Sequence, residues 1–279
     1  MVLTWWQSFP LLAIGVYAMF CLVVTMKQDR LLYFPEHLTP GEADKAFALY
    51  RVERWPENSG AAYRGLVKKA APASCLTNGT VLVFHGNGGG AHEREYFCDT
   101  LQKLGWRVIL AEYPGYANRP GKWGESSFRE DGRATARLVR QKYPGPLVLL
   151  GESLGSGVAA SVASDPGLNA DAVVLAVPWD NLTTVAAHHY PWLPVSFFLN
   201  DRYNSVAYLQ GYDGPITVLQ AEDDEIMPAA STRALFDGLP HADRKRLISI
   251  PWSGHNEWFL NVTAAQWREI LSTGLHPLP

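Results

Sequence analysis

The feature that most constrains the fold of this chain is an alternation of short apolar runs with segments of helical spacing. Apolar runs typical of buried strands occupy 80–84, 107–111, 147–150, 172–177, 216–220 and 247–250. Helical segments lie between or after them, at 91–104, 128–142, 154–164, 229–237 and 262–273. Two further β-rich stretches, 48–55 and 62–68, precede the alternation. The pattern predicts an α/β domain whose mostly parallel sheet is covered by helices on both faces, with a ligand site beyond the carboxyl ends of the strands.

Composition and charge exclude several classes of protein. Of the 279 residues, 47% are hydrophobic and 18% are charged, which supplies a sizeable core and excludes wholesale disorder. The formal net charge of -3 leaves no basic field for a phosphate backbone, so we expect no nucleic-acid partner. The three cysteines, Cys21, Cys75 and Cys98, are too few for a disulfide scaffold and lack the spacing of a zinc site. Free buried thiols are favoured, with a Cys75–Cys98 bridge as the alternative.

The N-terminus carries no charged side chain before Lys27. Within it, the apolar run 9–26 would span about 27 Å as a helix, which is close to the hydrocarbon thickness of a bilayer. A cleaved signal peptide is disfavoured because no Lys or Arg precedes the run and no A-x-A-like cleavage site is found. We therefore predict a single-pass membrane anchor over 1–30 and one domain over 31–279. Lys27 and Arg30 follow the helix, so the positive-inside rule places that domain on the cytoplasmic side.

One long connection interrupts the alternation of strands and helices. Residues 178–214 separate two predicted strands and are rich in aromatic side chains. These include Trp179, Tyr190, Trp192, Phe197, Phe198, Tyr203 and Tyr208. A connection of this length is usually a lid or a binding insertion. We therefore predict a short lid over 178–214, with an ordinary surface excursion as the alternative.

A nucleophile-elbow pattern follows one of the predicted strands. Residues 151–155 read Gly-Glu-Ser-Leu-Gly, come directly after the strand 147–150 and open a helix. Such a turn strains the serine backbone, and its glycines leave the room that the turn needs. The hydroxyl then projects from the carboxyl edge of the sheet, where the helix N-terminus favours developing negative charge. Ser153 is therefore the candidate nucleophile.

A catalytic serine needs a histidine as base, and the chain order expected in this type of fold is serine, acid, histidine. His255 lies just past the last predicted strand, in a loop before the final helix. From there an imidazole can reach a serine two or more strands away. His241 precedes the last strand and His276 lies in the C-terminal tail, so we favour His255 as the base.

The acid that orients the base should follow the strand 216–220. After that strand the chain reads Glu-Asp-Asp-Glu at 222–225, which offers four carboxylates. The strand ends near residue 221 and the next helix begins after residue 228. From these positions we favour Asp224, with Asp223 as the main competitor and Asp180 as the next candidate.

A glycine-rich loop follows the strand 80–84. Residues 85–90 read His-Gly-Asn-Gly-Gly-Gly, and backbone N–H groups in such a loop can point at an oxyanion. The expected oxyanion hole consists of the N–H groups of Asn87 and Leu154, the second being the residue after the candidate nucleophile. His85 is interpreted as a structural hydrogen-bonding residue rather than a catalyst.

The same loop supports a rival interpretation. Residues 86–91 fit the pattern G-x-G-x-x-A, and Glu112 ends the following strand, as in a dinucleotide-binding fingerprint. Against it, the loop comes after two earlier β-rich stretches rather than opening the unit. The dinucleotide-binding interpretation also gives no function to Ser153, Asp224 and His255, whose order along the chain would then be a coincidence.

The chain resembles α/β-hydrolases of the Bem46-like group, which includes membrane-anchored bacterial and eukaryotic serine hydrolases. The resemblance covers about 31–267, and its motifs are Leu-Leu-Tyr-Phe-Pro at 31–35, Phe-His-Gly-Asn at 84–87, Glu-Tyr-Pro-Gly-Tyr at 112–116, Gly-Glu-Ser-Leu-Gly at 151–155, Tyr-Pro-Trp-Leu-Pro at 190–194, Asp224 and Gly-His-Asn at 254–256. The chain departs from the group's pattern at Glu112, where a shorter Asp is usual, and in the stretch 117–122. The resemblance implies an α/β-hydrolase fold with a mostly parallel eight-stranded sheet. It also implies Ser153 as nucleophile, Asp224 as acid and His255 as base.

We therefore predict a membrane-anchored serine hydrolase that cleaves carboxylic ester or thioester bonds through an acyl-enzyme intermediate. The expected partners are a small or lipid-like acyl ester and, through the N-terminal helix, a membrane. No metal or cofactor is expected. Three alternatives remain, namely a serine peptidase or amidase of the same fold, a dinucleotide-binding protein, and a membrane-tethered binding protein without catalysis. Acyl length, leaving group and oligomeric state do not follow from the residues.

Overall fold

The computed structural model describes residues 5–57, 59–68 and 78–272, with side chains described from residue 9 onwards. The strands are β1 (Phe34–Pro35), β2 (Val52–Trp55), β3 (Gly65–Lys68), β4 (Thr80–Phe84), β5 (Gly88–Gly89), β6 (Arg107–Ala111), β7 (Leu147–Glu152), β8 (Ala172–Ala176), β9 (Ile216–Ala221) and β10 (Lys245–Ile250). The helices are α1 (Trp5–Leu32), α2 (Pro40–Leu49), α3 (Glu95–Leu101), α4 (Glu125–Lys142), α5 (Leu154–Ala163), α6 (Leu182–His189), α7 (Val195–Phe198), α8 (Ser205–Leu209), α9 (Ala229–Gly238) and α10 (Ala264–Ser272). Cys75 and His276 lie outside the described residues.

Eight strands form one mostly parallel sheet, which confirms the predicted fold class. Their spatial order is β10-β9-β8-β7-β4-β6-β3-β2. Strand β3 pairs antiparallel with both β2 and β6, and the other pairings in this sheet are parallel. The candidate nucleophile follows β7, in the centre of the sheet, and the candidate base and acid follow β10 and β9. Parallel strands end at the same edge of a sheet, so these three loops meet there.

Two hydrophobic cores flank the sheet because successive side chains of a strand point to opposite faces. Leu82 and Leu149 belong to one core, which α4 and α5 cover. Val81 and Val148 belong to the other core, which α3 and α10 cover. The central strands are buried on both faces, which explains why they are continuous apolar runs rather than alternating ones.

The structure corrects the prediction for the first β-rich stretch. Residues 48–55 were expected to be extended throughout, whereas α2 continues to Leu49 and the strand begins only at Val52. Helix α2 starts at a capping box, in which the Thr39 hydroxyl accepts from the Glu42 N–H and the Glu42 carboxylate accepts from the Thr39 N–H. Pro40 at the first helical position adds a favourable φ angle. Thr39, Pro40 and Glu42 were the sequence signal that would have revealed this helix.

Helix α1 is longer than the predicted segment 9–26, since it continues to Leu32. Its stretch Phe9–Leu32 contains a window of 18 residues with a mean hydropathy of 2.2 and is long and apolar enough to cross a membrane by length and composition. Most of its large apolar side chains are exposed, which is the arrangement expected of a helix that faces lipid rather than a protein core.

The predicted lid 178–214 contains α6, α7 and α8. Most of its aromatic residues fall into two groups, and Tyr208 is half-buried. Trp179 and Tyr203 are buried in the hydrophobic core that α4 and α5 cover. A second group, Tyr190, Trp192, Phe197 and Phe198, is exposed. The predicted lid therefore has two aromatic surfaces, one facing the core and one facing outward.

Candidate active site

Ser153 occupies a sharp turn between β7 and α5. Its backbone adopts φ +53° and ψ −117°, a region that residues with a Cβ rarely visit. A Cβ on Gly151 would overlap the carbonyl of Gly155, and a Cβ on Gly155 would overlap the carbonyl oxygen of Phe84. Only glycine fits at these two positions, because α5 starts in direct contact with the ends of β7 and β4. The turn holds the Ser153 side chain at the carboxyl edge of the sheet.

The structure brings Ser153, His255 and Asp224 into one hydrogen-bonded chain. Nε2 of His255 lies 2.9 Å from Oγ of Ser153. Nδ1 of His255 lies 2.9 and 3.0 Å from the two carboxylate oxygens of Asp224. A carboxylate can only accept, so Nδ1 carries the proton and Nε2 is left to accept from the serine hydroxyl. The imidazole and the carboxylate are both buried, which shields this chain from water.

The backbone around Asp224 distinguishes it from the other carboxylates. Oδ1 of Asp224 accepts from the N–H groups of Ile226 and Met227, at 3.0 and 2.7 Å, and these bonds orient the carboxylate towards His255. Asp223 is exposed, and its N–H donates to the carbonyl of Ser253. The two carboxylates are neighbours in sequence, but only that of Asp224 contacts the imidazole.

Asp180 and His241, two of the remaining candidates, bond elsewhere. The Asp180 carboxylate accepts from the hydroxyl of Ser231 and from the amide of Asn181. The ring of His241 pairs with Asp213 on the surface, 3.0 Å away. Neither residue contacts Ser153 or His255.

The loop after β4 lies directly over the serine. A Cβ on Gly86 would sit 3.7 Å from Cβ of Ser153, so the backbone of this loop approaches the serine closely. The side-chain amide of Asn87 donates to the carbonyl of Leu32 at 2.8 Å. The Asn87 carbonyl accepts from the N–H of Phe34 and from the hydroxyl of Tyr116. Within the described chain, the N–H groups of Asn87 and Leu154 donate to no protein acceptor, as donors reserved for an oxyanion would.

His85 and Glu112 form a buried pair beneath this loop. Nδ1 of His85 donates to the carbonyl of Gly86 at 2.8 Å, and Nε2 lies 3.2 Å from the Glu112 carboxylate. Glu112 also accepts from the N–H groups of Ala91 and Tyr113, at 3.1 and 3.2 Å. Its carboxylate is fully buried and cannot meet a ribose, which removes the acid that the dinucleotide-binding interpretation requires.

A second buried ion pair borders the site, and the sequence analysis did not foresee it. Glu152, the residue before Ser153, accepts from Nε of Arg94 at 3.1 Å. The hydroxyl of Tyr96 and Nε1 of Trp258 also donate to its carboxylate, each at 3.3 Å. Burial would lower the pKa of Arg94, but Glu152, Tyr96 and Glu93 together raise it above its ordinary value. The guanidinium of Arg94 is therefore held in its charged form, and the contacts of Glu152 join the elbow to α3 and to the region that follows His255.

A cavity of about 580 Å³ opens above Ser153. Half of the non-glycine side chains that line it are apolar, namely Leu32, Phe34, Leu154, Trp179, Leu182, Val185, Ile226 and Met227. Leu32 lies at the end of α1 and Phe34 lies in β1. Both residues belong to the motif at 31–35, and the sequence did not predict that they line the cavity. A larger cavity of about 860 Å³ beside α2 and β2 has many charged side chains in its wall and does not contain Ser153.

Among the described residues, one cluster has the spacing of a metal site. Ligand atoms of Glu36, His92 and Glu93 lie within 4.8 Å of one another. His92 already pairs with Glu36 at 3.1 Å, and Glu93 accepts from the N–H of Gly90 and from Arg94. The polar groups of this cluster thus have protein partners, and we interpret the cluster as structural.

A family model of the alpha/beta hydrolase fold matches residues 79–207 of the chain. The match includes β4, the elbow and most of the lid, and it ends before the loops that carry Asp224 and His255. An uncharacterized protein of Mycobacterium tuberculosis is 34% identical over 182 residues, which are 63% of this chain and 63% of that protein. A lysophosphatidylserine lipase, ABHD12 of Danio rerio, is 31% identical over 176 residues, which are 56% of this chain and 46% of that lipase. The chain thus matches between about half and two thirds of the length of these relatives.

Solved structures agree with this architecture. An esterase of Pyrococcus furiosus superposes with a TM-score of 0.63 over 87% of this chain and 100% of its own, at 16% identity. A monoacylglycerol lipase of Paleococcus ferrophilus gives a TM-score of 0.54 over 70% of this chain and 94% of its own, at 18% identity. At such low identity, these two structures support the fold of the chain and not its function.

Proposed function

Since this chain is a member of the α/β-hydrolase superfamily, we propose that it is a membrane-anchored serine hydrolase acting on acyl esters or thioesters. The observation that carries the proposal is the hydrogen-bonded chain from Ser153 through His255 to Asp224, which lies at the base of a cavity with apolar side chains in its wall. Helix α1 would supply the membrane anchor. The positive residues Lys27 and Arg30 at its C-terminal end favour a cytoplasmic position for the hydrolase domain.

In the proposed reaction, Oγ of Ser153 attacks the carbonyl carbon of the substrate while Nε2 of His255 takes the hydroxyl proton. The negative charge that develops on the carbonyl oxygen is stabilised by the N–H groups of Asn87 and Leu154. His255 then returns the proton to the leaving group, and an acyl-enzyme forms on Ser153. Water, activated by the same imidazole, releases the acyl group. Asp224 holds the proton-bearing Nδ1 in place and stabilises the imidazolium.

The cavity wall favours an apolar acyl group. Leu182, Val185 and Met227 provide aliphatic surface, and Trp179 provides an aromatic face. Each buried methylene of an acyl chain would gain about 0.8 kcal/mol on leaving water. We therefore expect specificity constants to increase with acyl length over the first several carbons. Esters are preferred over amides in this proposal because an ester leaving group needs less protonation.

The central experiment combines an activity-based probe with an acyl series. The full-length protein in detergent should react covalently with a fluorophosphonate probe, and Ser153→Ala should not. The same variant should hydrolyse p-nitrophenyl esters about 10⁴–10⁶-fold more slowly than the parent while keeping the parent's thermal unfolding profile. A folded protein without probe labelling would instead be a binding protein that has kept the fold.

The acyl series then distinguishes the substrate class. We expect kcat/KM to increase from p-nitrophenyl acetate to octanoate, because the apolar wall continues beyond the serine. A steep decrease beyond butyrate would contradict the acyl pocket. Faster cleavage of aminoacyl amides than of any ester would favour the peptidase alternative.

A further inference from the structure

The lid contains a segment of ten residues without a charged side chain, and this segment is exposed. Residues 190–199 read Tyr-Pro-Trp-Leu-Pro-Val-Ser-Phe-Phe-Leu. Four of its aromatic side chains are exposed, by 47% at Tyr190, 54% at Trp192, 83% at Phe197 and 42% at Phe198. Soluble proteins rarely expose so many large apolar side chains together, and such patches usually mark a contact with a partner or a membrane.

This segment packs along α1, the candidate membrane helix. The hydroxyl of Tyr17 donates to the carbonyl of Trp192 at 2.6 Å, and the rings of Phe20 and Trp192 have centroids 5.5 Å apart. Further along α1, the amide of Gln28 donates to the carbonyl of Phe198 at 3.2 Å. The contact therefore extends over about 16 Å of helix, from position 17 to position 28.

A small apolar cleft separates the two elements in the middle of this contact. Its lining residues are Cys21, Val24, Thr25, Gln28, Leu193, Val195, Phe198 and Leu199. Cys21 is only 4% exposed, although most of α1 around it is exposed. The segment thus covers one face of α1 and leaves the other faces open.

The position of the charged residues on α1 sets the depth of this contact. Lys27, Asp29 and Arg30 mark the polar end of the helix. Tyr17 precedes Lys27 by ten positions, about 15 Å along the axis, and a bilayer's hydrocarbon core is about 30 Å thick. If α1 spans the bilayer, Tyr17 lies near its middle, and Trp192 lies beside Tyr17. The same insertion that anchors α1 must therefore carry the segment 190–199 into the lipid.

Five of the eight backbone N–H groups of the segment have acceptors, as a position in lipid favours. In lipid, each exposed N–H group without an acceptor costs several kcal/mol. The N–H groups of Tyr190, Leu193, Val195, Phe197 and Leu199 donate to carbonyls within the lid. The prolines at 191 and 194 have no N–H. The carbonyls of Trp192 and Phe198 accept from α1, as described above.

The wall of the cavity above Ser153 lies next to this segment in the chain. Helix α6 contributes Leu182, Val185 and His189 to the cavity wall, and the segment follows α6 directly. Leu32, at the C-terminal end of α1, contributes to the wall as well. The cavity is therefore bordered by the two elements that would meet the bilayer surface.

We propose that the segment 190–199 is inserted in the hydrocarbon of the lipid leaflet alongside α1, so that the cavity receives its acyl substrate from that leaflet. The inference rests on the membrane anchoring given under the proposed function. Its partner is a phospholipid bilayer, which the uncharged aromatic surface of the segment fits. A protein partner on the same surface is the competing outcome.

The test uses full-length protein in phosphatidylcholine vesicles and an environment-sensitive NBD label on single cysteines. The background carries Cys75→Ser, because the other native thiols, Cys21 and Cys98, are buried. The labelled positions are Phe197→Cys in the segment, Leu12→Cys on α1, and Leu49→Cys on α2 as a control of similar exposure. Turnover of a soluble short ester establishes that each labelled protein is folded.

Vesicles that contain lipids with a doxyl group on the acyl chain should quench the labels at 197 and 12 at least about twofold, and the label at 49 should stay accessible to aqueous iodide. Quenching at 12 without quenching at 197 would overturn the proposal while leaving α1 as the anchor. Quenching at neither position would overturn the anchoring itself, and the proposal with it. Iodide protection at 197 without doxyl quenching would indicate a protein partner and would also overturn the proposal.

Discussion

The strained backbone of Ser153 is held by hydrogen bonds to the neighbouring strand and helix. Its positive φ angle costs of the order of 1–3 kcal/mol, which the surroundings must supply. The N–H of Ser153 donates to the carbonyl of Ala176 at 3.0 Å, and its carbonyl accepts from the hydroxyl of Ser156 at 2.6 Å. Both partners belong to rigid elements, β8 and α5. The strain is therefore held by the sheet and the helix, and the hydroxyl remains directed at His255.

The two neighbouring aspartates provide a sharp test of the residue-level assignment. Asp224→Asn should lower kcat for a p-nitrophenyl ester by about four orders of magnitude, because an amide no longer fixes the imidazole tautomer that the serine needs. Asp223→Asn should change kcat by less than about threefold, since the side chain is exposed and bonds to no group of the site. Steady-state kinetics on both purified variants checks this. The opposite ranking would show that the acid is misassigned.

At the scale of secondary-structure elements, the first turn of α5 depends on its close approach to β4. Gly155→Ala should lower the free energy of unfolding by more than about 3 kcal/mol, because the new Cβ would overlap the backbone of Phe84 and His85. Gly41→Ala is the matched control, as it lies in a helix with no atom within 4 Å of the added Cβ. It should be neutral or slightly stabilising. Chemical denaturation followed by circular dichroism compares them, and equal effects would contradict this account.

The junction between anchor and lid predicts a dependence of stability on pH. The hydroxyl of Tyr33 donates to Asp201 at 2.5 Å, which joins the end of α1 to the lid. Burial raises the pKa of Asp201 above 3.8, even though the hydrogen bond from Tyr33 lowers it. A raised pKa in the folded state means that the stabilisation by protonated Asp201 is complete below the unfolded pKa and is lost as the pH rises through the folded pKa.

Asp201→Asn should remove this dependence, because an amide stays neutral and can still accept from Tyr33. The free energy of unfolding of the variant, relative to the parent, should therefore increase as the pH rises above about 4, the ordinary pKa of an aspartate. Urea denaturation in detergent at several pH values measures the difference. A difference that stays constant with pH would show that Asp201 titrates alike in the folded and unfolded states.

At the scale of the whole molecule, anchor, lid and cavity should act together on substrates in a membrane. Phe197→Asp should reduce the turnover of an acyl ester embedded in phosphatidylcholine vesicles by about tenfold, because a carboxylate in lipid is costly. Turnover of water-soluble p-nitrophenyl butyrate in detergent should change by less than about twofold, since Phe197 does not line the cavity. Leu49→Asp, on α2, should alter neither rate by more than that.

The ratio of the two rates is the informative quantity in this experiment. A parallel loss of both rates in Phe197→Asp would indicate a disturbed fold. Unchanged rates on both substrates would show that the exposed face of the lid takes no part in the use of membrane substrates.

The sequence by itself determined the parts of this protein that depend on local patterns. Apolar runs and helical spacing predicted the central strands, because the middle of a strand that is buried on both faces rarely accommodates a charged side chain. The glycines at 151 and 155 predicted a strained turn at Ser153, because a side chain at either position would overlap backbone. The uncharged run at the N-terminus predicted α1, since only lipid or a deep core accommodates such a run. Each of these patterns lies within a short stretch of the sequence, so it can be recognised without knowing which distant residues it contacts.

Only the tertiary structure decided which distant groups meet. The sequence favoured Asp224 over Asp223 by position in the loop alone, whereas the structure shows the contacts of Asp224 with the N–H groups of Ile226 and Met227 and with a histidine 31 positions away. The aromatic residues of the lid look alike along the chain, yet Trp179 is buried and Phe197 is exposed. The contact of Trp192 with Tyr17 spans 175 positions. Such pairings arise from the global packing of the sheet, the lid and α1, and no local pattern of residues encodes them.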